Sequence, residues 1–353
     1  MAADSPTPTQ SGFRMPAEWE PHAATWLTWP HNPETWPGLD LRPIEDVYLQ
    51  MISALIEGET VHVLVKDPEN RIYVEKRMKE HHVLGKDVQI HCLPTNDSWI
   101  RDYGPNFLIR ENNGLRDVAA NVWKFNSWGG KYEWELDDRA GLDITRRLGI
   151  PIFEPGLVLE GGAIEVNGRG TCLTTRRCLL DENRNAGMTQ KEMERYLKEY
   201  LGASHVLWFE GDLEGDDTDG HIDNLVRFVN ETTVVYAYDD SPEDPNHTCL
   251  TANHETLQTA TDQDGKRLEA IPLPMPRRIE FGGDRLPASH ANFYIGNRSV
   301  LLPVFGGSSD KKAQGILKDL FPDRKVVPIV CSQFVLGLGA IHCVTQQQPA
   351  TKI

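Results

Sequence analysis

The feature that most constrains this chain is a recurrence at about sixty residues. "GGAIEVNGRGTCLTT" reads as a strand, a tight turn at Asn167–Gly168 and a second strand. "HIDNLVRFVNETTVVYAYD" repeats the shape with its turn near Asn230–Glu231, and "ANFYIGNRSVLLPVF" repeats it at Gly296–Asn297. "YGPNFLIRENNGLRDVAANVW" is a longer copy turning near Asn112–Gly114. Helical stretches such as "TQKEMERYLKEYLG" and "KKAQGILKDLF" lie between hairpins, and "TVHVLVKD" and "KVVPIVCS" read as buried strands that follow helices.

Each hairpin opens on a polar or glycine-rich entry. The step from Asp102 to Gly162 is 60 residues, from Gly162 to Asp223 61, from Asp223 to His290 67 and from His290 to Cys343 53. A copy near "EWEPHAATWLTWP" completes five. This period is too long for the common solenoids and suits α+β modules, each a hairpin with a helix, packed round a centre. An ordinary mixed sheet is the competing arrangement. In the radial one, Asp102, Glu160, His221, Asp223 and Cys343 converge. "YDDSPEDPNHTCLTANHE" reads as an exposed loop leading into a short helix, and "IPLPMPRRIEFGGDRLPASH" as a Pro-rich loop.

Charge narrows the partners. Acidic residues outnumber basic ones, 52 to 36, for a net charge of −16. Such a surface repels phosphate backbones and anionic lipid and draws in cations, so no nucleic acid and no membrane is expected as a partner. No apolar run reaches the ~18 residues of a membrane span. The opening "MAADSPTPTQSGFRMP" lacks the apolar stretch of a secretion signal and reads as a flexible tail over residues 1–12. The six cysteines are dilute and form no CxxC, so a disulfide framework is not expected and the cytoplasm is the default compartment.

Four stretches could carry chemistry. "NDSWIRDYGP" sets Asp102 just before a strand, where a carboxylate can grip a guanidinium by two parallel hydrogen bonds, with Trp99 offering a face to the planar cation. "LEGG" sets Glu160 before two glycines, at a bulge or a close backbone approach. "EGDDTDGHIDN" is the densest acidic cluster but lacks the order of a calcium-binding loop. On a strand its His221 and Asp223 share a face, as an acid/base and anchor pair or as a structural contact. A metal held by His221, Asp223 and Asp217 is the weaker alternative. "LGLGAIHCVTQQQP" contains Cys343, which is a core filler unless something lowers its thiol pKa. On a strand the adjacent His342 points away, so His221 is the better partner and His342 a bystander. Gly337 and Gly339 then read as room for a flat substrate.

Together "GFRMPAEWEPHAATWLTWP", "NDSWIRDYGP", "LEGGAIEVNGRGTCLTT", "DENRN", "DTDGHIDN" and "GAIHCVTQQQP" resemble the agmatine deiminase family, within the guanidine-modifying superfamily that includes bacterial-type peptidylarginine deiminases. The resemblance implies a single catalytic domain over 13–349, followed by a tail at 350–353. Its fold would be a five-module ββαβ α/β-propeller (pentein) with pseudo-fivefold symmetry. It implies Cys343 as nucleophile and His221 as general acid/base. Asp102 and Asp223 would hold the guanidinium, Glu160 would be a further substrate carboxylate, Trp99 a pocket wall, and Asp217 the partner of the far amine. No metal or organic cofactor is implied, the substrate is a small guanidino cation, and a homodimer is a family-level expectation. The chain departs from the family at Leu338 and Ala340. A peptide C-terminal arginine is the alternative substrate, with Arg169, Arg176 and Arg177 as candidate carboxylate partners. A non-catalytic guanidinium-binding protein is the reading from another class.

Overall fold

The computed structural model describes residues 6–352; residues 1–5 and 353, the ends of the two expected tails, lie outside them. Four segments follow one path: an antiparallel hairpin, a helix, and a strand parallel to the hairpin's second strand. In the first, Asn106–Asn112 pairs with Leu115–Asn121, helix Asp137–Leu148 follows, and Ile152–Phe153 returns parallel. The second joins Glu165–Val166 to Thr171–Thr175, then helix Gln190–Leu201 and strand His205–Phe209. The third joins Val226–Phe228 to Thr233–Tyr238, then helix His247–Thr259 and strand Glu269–Pro274. The fourth joins Tyr294–Ile295 to Ser299–Val304, then helix Ser308–Leu320 and strand Lys325–Val330. The expected turns all lie between the expected strands.

A fifth sheet is built from both ends of the chain. Strand His22–Thr28 pairs antiparallel with Gln346–Pro349 and parallel with Thr60–Val65, which pairs in turn with Val88–Cys92. Local chemistry explains the element ends. The Thr189 hydroxyl accepts the Glu192 N–H and the Glu192 carboxylate accepts the Thr189 N–H, a reciprocal cap that starts the helix ended by Gly202 at φ +77°.

Two expectations change. The Pro-rich stretch read as loop opens on the second half of strand Glu269–Pro274 and contains a short hairpin, Glu280–Phe281 with Asp284–Arg285. Pro272 and Pro274 are tolerated because that strand is the edge of its sheet, where a missing N–H breaks no ladder. The helix after the acidic loop runs thirteen residues, burying Cys249, Leu250, Asn253 and Leu257 along one face. Of the stretch expected as a tail, Thr9 hydrogen-bonds Glu199 and Lys198, and Arg116 N–H donates to Thr351 O near the other end. Among the described residues no helix is long and apolar enough to cross a membrane.

The fifth sheet carries a titratable pair. His62 Nδ1 lies 2.8 Å from His91 Nε2, under Trp26. Burial, reinforced by the charge of His91, pushes the His62 imidazole down to about 4. A depressed histidine contributes stability above the unfolded value of 6.5, and that stability is lost as pH falls towards 4. Allowing for partial solvation, the loss is on the order of 2 kcal/mol. Urea unfolding at pH 7 and pH 4.5 is expected to show a smaller acid penalty in His62→Gln than in the parent.

Candidate active site

The C-terminal stretch places the thiol by two tight turns. A 3-10 turn over Phe334–Gly337 ends on Leu338, a non-glycine residue held at φ +67°. A second, His342–Val344, carries Cys343, which is buried against the largest apolar cluster. A methyl on Gly337 would stand 2.9 Å from the Trp36 ring, and one on Gly339 2.5 Å from the Trp99 ring. These glycines therefore make room for the two indoles, and both also line the cavity that leads to the thiol.

Asp102 sits on a one-turn helix, Ile100–Tyr103, stopped by Gly104–Pro105, just before strand Asn106–Asn112 as the sequence suggested. His221 precedes and Asp223 lies within a 3-10 turn, Ile222–Asn224, so the strand assumed for that pair is absent. The tight turns still bring the groups together. His221 Nδ1 is 3.6 Å from Asp102 Oδ1, and its Nε2 is 4.0 Å from Glu160 Oε2. Both ring nitrogens are buried with no hydrogen-bond partner, as is Asp223 Oδ1. Cys343 Sγ lies 3.7 Å from Asp223 Oδ2.

Gly162 stands at the centre of these groups. Its N–H donates to Asp102 Oδ1 at 2.9 Å. A methyl on its Cα would lie 2.5 Å from His221 Nδ1, 2.8 Å from Asp102 Oδ1 and 3.1 Å from Asp223 Oδ2. The second glycine of "LEGG" is thus demanded by the site itself.

Behind each carboxylate stands a holder that sequence reasoning missed. Trp128 Nε1 donates to Asp102 Oδ2 at 3.0 Å from a turn in which Ser127, Trp128, Gly129 and Gly130 all have positive φ. His342 is no bystander: its Nδ1 lies 2.7 Å from Asp223 Oδ2 and its Nε2 2.8 Å from Glu18 Oε2. Glu18 is itself held by Arg227 at 3.0 Å. Burial alone would raise the Asp223 carboxyl, but the hydrogen bond and charge of His342 leave it below the ordinary range. Burial pushes Asp102 up, with Asp223 and Glu160 adding to the rise and His221 opposing it. Burial, with Asp223 and Asp102, pushes the Cys343 thiol well above its usual value.

Glu160 is fully buried and bonded to Arg184 Nε at 2.8 Å. Arg184 also reaches Asp219 Oδ2 at 2.9 Å and Thr218 O at 2.8 Å, tying Glu160 to the loop that ends in His221. Among the described residues, Glu160, Cys178 and His221 could meet round a metal ion, a different trio from the one the sequence suggested. The Arg184 guanidinium already neutralises Glu160 there, and burial pushes the Cys178 thiol well above its usual value, so the donor set is poor for a dication.

A cavity of about 610 Å³ leads to the thiol. Trp99, Asp102, Asp217 and Cys343 line it, with Glu34, Asp97, Glu133 and Asp137 supplying further acid. His221, Glu160 and Asp223 lie beyond that lining. Among the described residues no lysine or arginine lines it. Burial raises the carboxyls of Asp97 and, more strongly, Asp137, as expected where acids lack a counter-ion. The Asp217 carboxylate accepts the Tyr132 hydroxyl at 2.8 Å and lies 3.4 Å from Lys131 Nζ. Arg169 and Arg177 pair with Glu231 and Asp212 on the surface, and Arg176 lies 3.9 Å from Glu210; none lines the cavity.

Known proteins share this arrangement of the chain. A Legionella pneumophila protein named "Putative agmatine deiminase" is 38% identical over 344 residues, covering 97% of this chain and 96% of its own. The solved agmatine deiminase of Enterococcus faecalis superposes with a TM-score of 0.88 at 30% identity, covering 99% of both chains. A Campylobacter jejuni agmatine deiminase, solved as a cysteine-to-serine variant with substrate bound, gives 0.84 at 26% identity, covering 97% of both. The family model of the Porphyromonas-type peptidyl-arginine deiminases matches residues 14–349, and the chain belongs to that family.

Proposed function

We propose that this protein is an agmatine deiminase, hydrolysing agmatine to N-carbamoylputrescine and ammonia on the way to putrescine. The observation that carries the reading is the cavity: acidic along its length, free of lining lysine and arginine, and ending on a thiol beside two aspartates and a histidine. Agmatine is a dication with a guanidinium at one end and an ammonium at the other. Such a cavity attracts both ends, and Asp217 at the wall is our assignment for the ammonium.

The groups divide the work. Asp102 and Asp223 hold the guanidinium with its carbon against Cys343, the proximity that a resonance-stabilised electrophile needs. The arriving cation offsets the two carboxylates that oppose ionisation, so the thiolate forms where it is used. Sγ bonds to the guanidinium carbon, one C–N bond breaks, and ammonia leaves with a proton from His221. Water then adds to the amidino-thioether carbon, His221 takes its proton, and the S–C bond breaks to give the ureido product. Glu160, fixed by Arg184, stands 4.0 Å from His221 Nε2. Trp99 walls the slot for the planar group.

The family's name speaks of peptidyl arginine, and a peptide C-terminal arginine is the second reading of the substrate. That substrate brings a carboxylate into a cavity whose wall has no cation, and Arg169 and Arg177 are paired elsewhere. The five sheets fit a pentein propeller of five ββαβ modules about a pseudo-fivefold axis, with this site on the axis. All six cysteines are free, which fits the cytoplasm. Ammonia release on addition of agmatine tests the reading, and its absence would refute it.

A further inference from the structure

We propose that Asn292 is a catalytic residue, its side-chain N–H stabilising the thiolate of Cys343. The inference rests on Cys343 being the nucleophile. Asn292 is fully buried between the Ser289 turn and strand Tyr294–Ile295. Its Nδ2 lies 3.2 Å from Cys343 Sγ, nearer than the Asp223 carboxylate at 3.7 Å.

The orientation of this amide is settled by its other partners. Oδ1 accepts the main-chain N–H of His342 at 2.9 Å. Turned over, the amide would set its own N–H groups against that donor, so nitrogen must face the sulfur. The second hydrogen on Nδ2 goes to Asn224 Oδ1 at 3.0 Å. No side-chain rotation is left free.

The sulfur needs such a donor. Asp223 and Asp102 face it, Tyr48 is close, His221 stands behind the lining beside Asp102, and His342 is screened behind Asp223. Both carboxylates oppose ionisation, and the nearly complete burial of the thiol limits the water that would otherwise solvate an anion. A neutral amide that donates without carrying charge stabilises the thiolate and does not compete with a cationic substrate for the aspartates. The thiol form has its own contact, Sγ to Asn292 Oδ1 at 3.5 Å, so one side chain serves both protonation states.

Alkylation of Cys343 by iodoacetamide, followed on its own peptide by mass spectrometry across pH in substrate-free enzyme, tests this. Asn292→Ala is expected to move the alkylation midpoint upward by about one pH unit, an about tenfold lower rate below the midpoint. Asn292→Leu keeps the approximate size with neither a donor nor a charge beside the sulfur, and so reports even where the alanine variant does not fold. It too is expected to shift upward. A purely structural role would lower the melting temperature without raising the midpoint, and water entering a cavity would lower the midpoint. An unmoved or lowered midpoint in the folded variants therefore overturns the assignment. Alkylation uses no substrate. A raised midpoint in an enzyme that ignores agmatine keeps this role and retires the substrate reading, and an unmoved midpoint in an enzyme that turns agmatine over does the reverse.

Discussion

Cys343→Ser is expected to lower turnover of agmatine by at least ~10⁴-fold while leaving the fold intact, because a hydroxyl replaces a thiol of nearly the same size. The serine hydroxyl ionises far less readily than a thiol, and the same two aspartates that oppose the thiolate would oppose an alkoxide. Burial at this position is nearly complete, so neither side chain is rescued by water. The carboxylates remain, and agmatine should still bind. The variant should thus show a measurable dissociation constant by calorimetry with no ammonia release. Residual turnover within tenfold of the parent would remove Cys343 from the chemistry.

Gly162→Ala is expected to cost ~10²–10³-fold in kcat/KM. The glycine's φ is not in the left-handed range, so the backbone accepts alanine. The loss comes from the methyl, which lands within 3.1 Å of His221, Asp102 and Asp223 together. It must push at least one of them away from the place where the guanidinium is held. Overpacking adds a stability loss of about 1–3 kcal/mol. Gly85→Ala, whose methyl meets nothing within 4 Å, is the matched substitution and should be close to neutral. Equal effects in the two variants would mean that Gly162 has no special place in the site.

How much of this can be read from the chain differs from residue to residue. The hairpins are legible because Asn-Gly and Gly-Asn turns between alternating apolar runs have few other outcomes. Motifs point to Cys343, His221, Asp102, Asp223, Glu160, Trp99 and Asp217, and all lie at or just behind one cavity. Their local backbone is less legible. Strand alternation around His221 and Cys343 makes His342 a bystander, whereas both stretches turn in 3-10 geometry and bring its ring onto Asp223. Glu18, Trp128, Arg184 and Asn292 escape sequence reasoning for a different reason. Each acts through a partner elsewhere in the chain, as Glu18 does with His342 across 324 residues, and no spacing rule connects them. A buried polar residue in an apolar run is the one signal that could point to Asn292, in "HANFYIG".

The measurement that bears most directly on the central claim is kcat/KM for agmatine against that for free arginine and for a peptide ending in arginine, by ammonia release from one enzyme preparation. A cavity lined by carboxylates and no cation should favour the dication by at least ~10²-fold over either carboxylate-bearing substrate. Equal or faster turnover of the peptide would contradict the account, because among the described residues no lysine or arginine lines the cavity to pair with its terminal carboxylate.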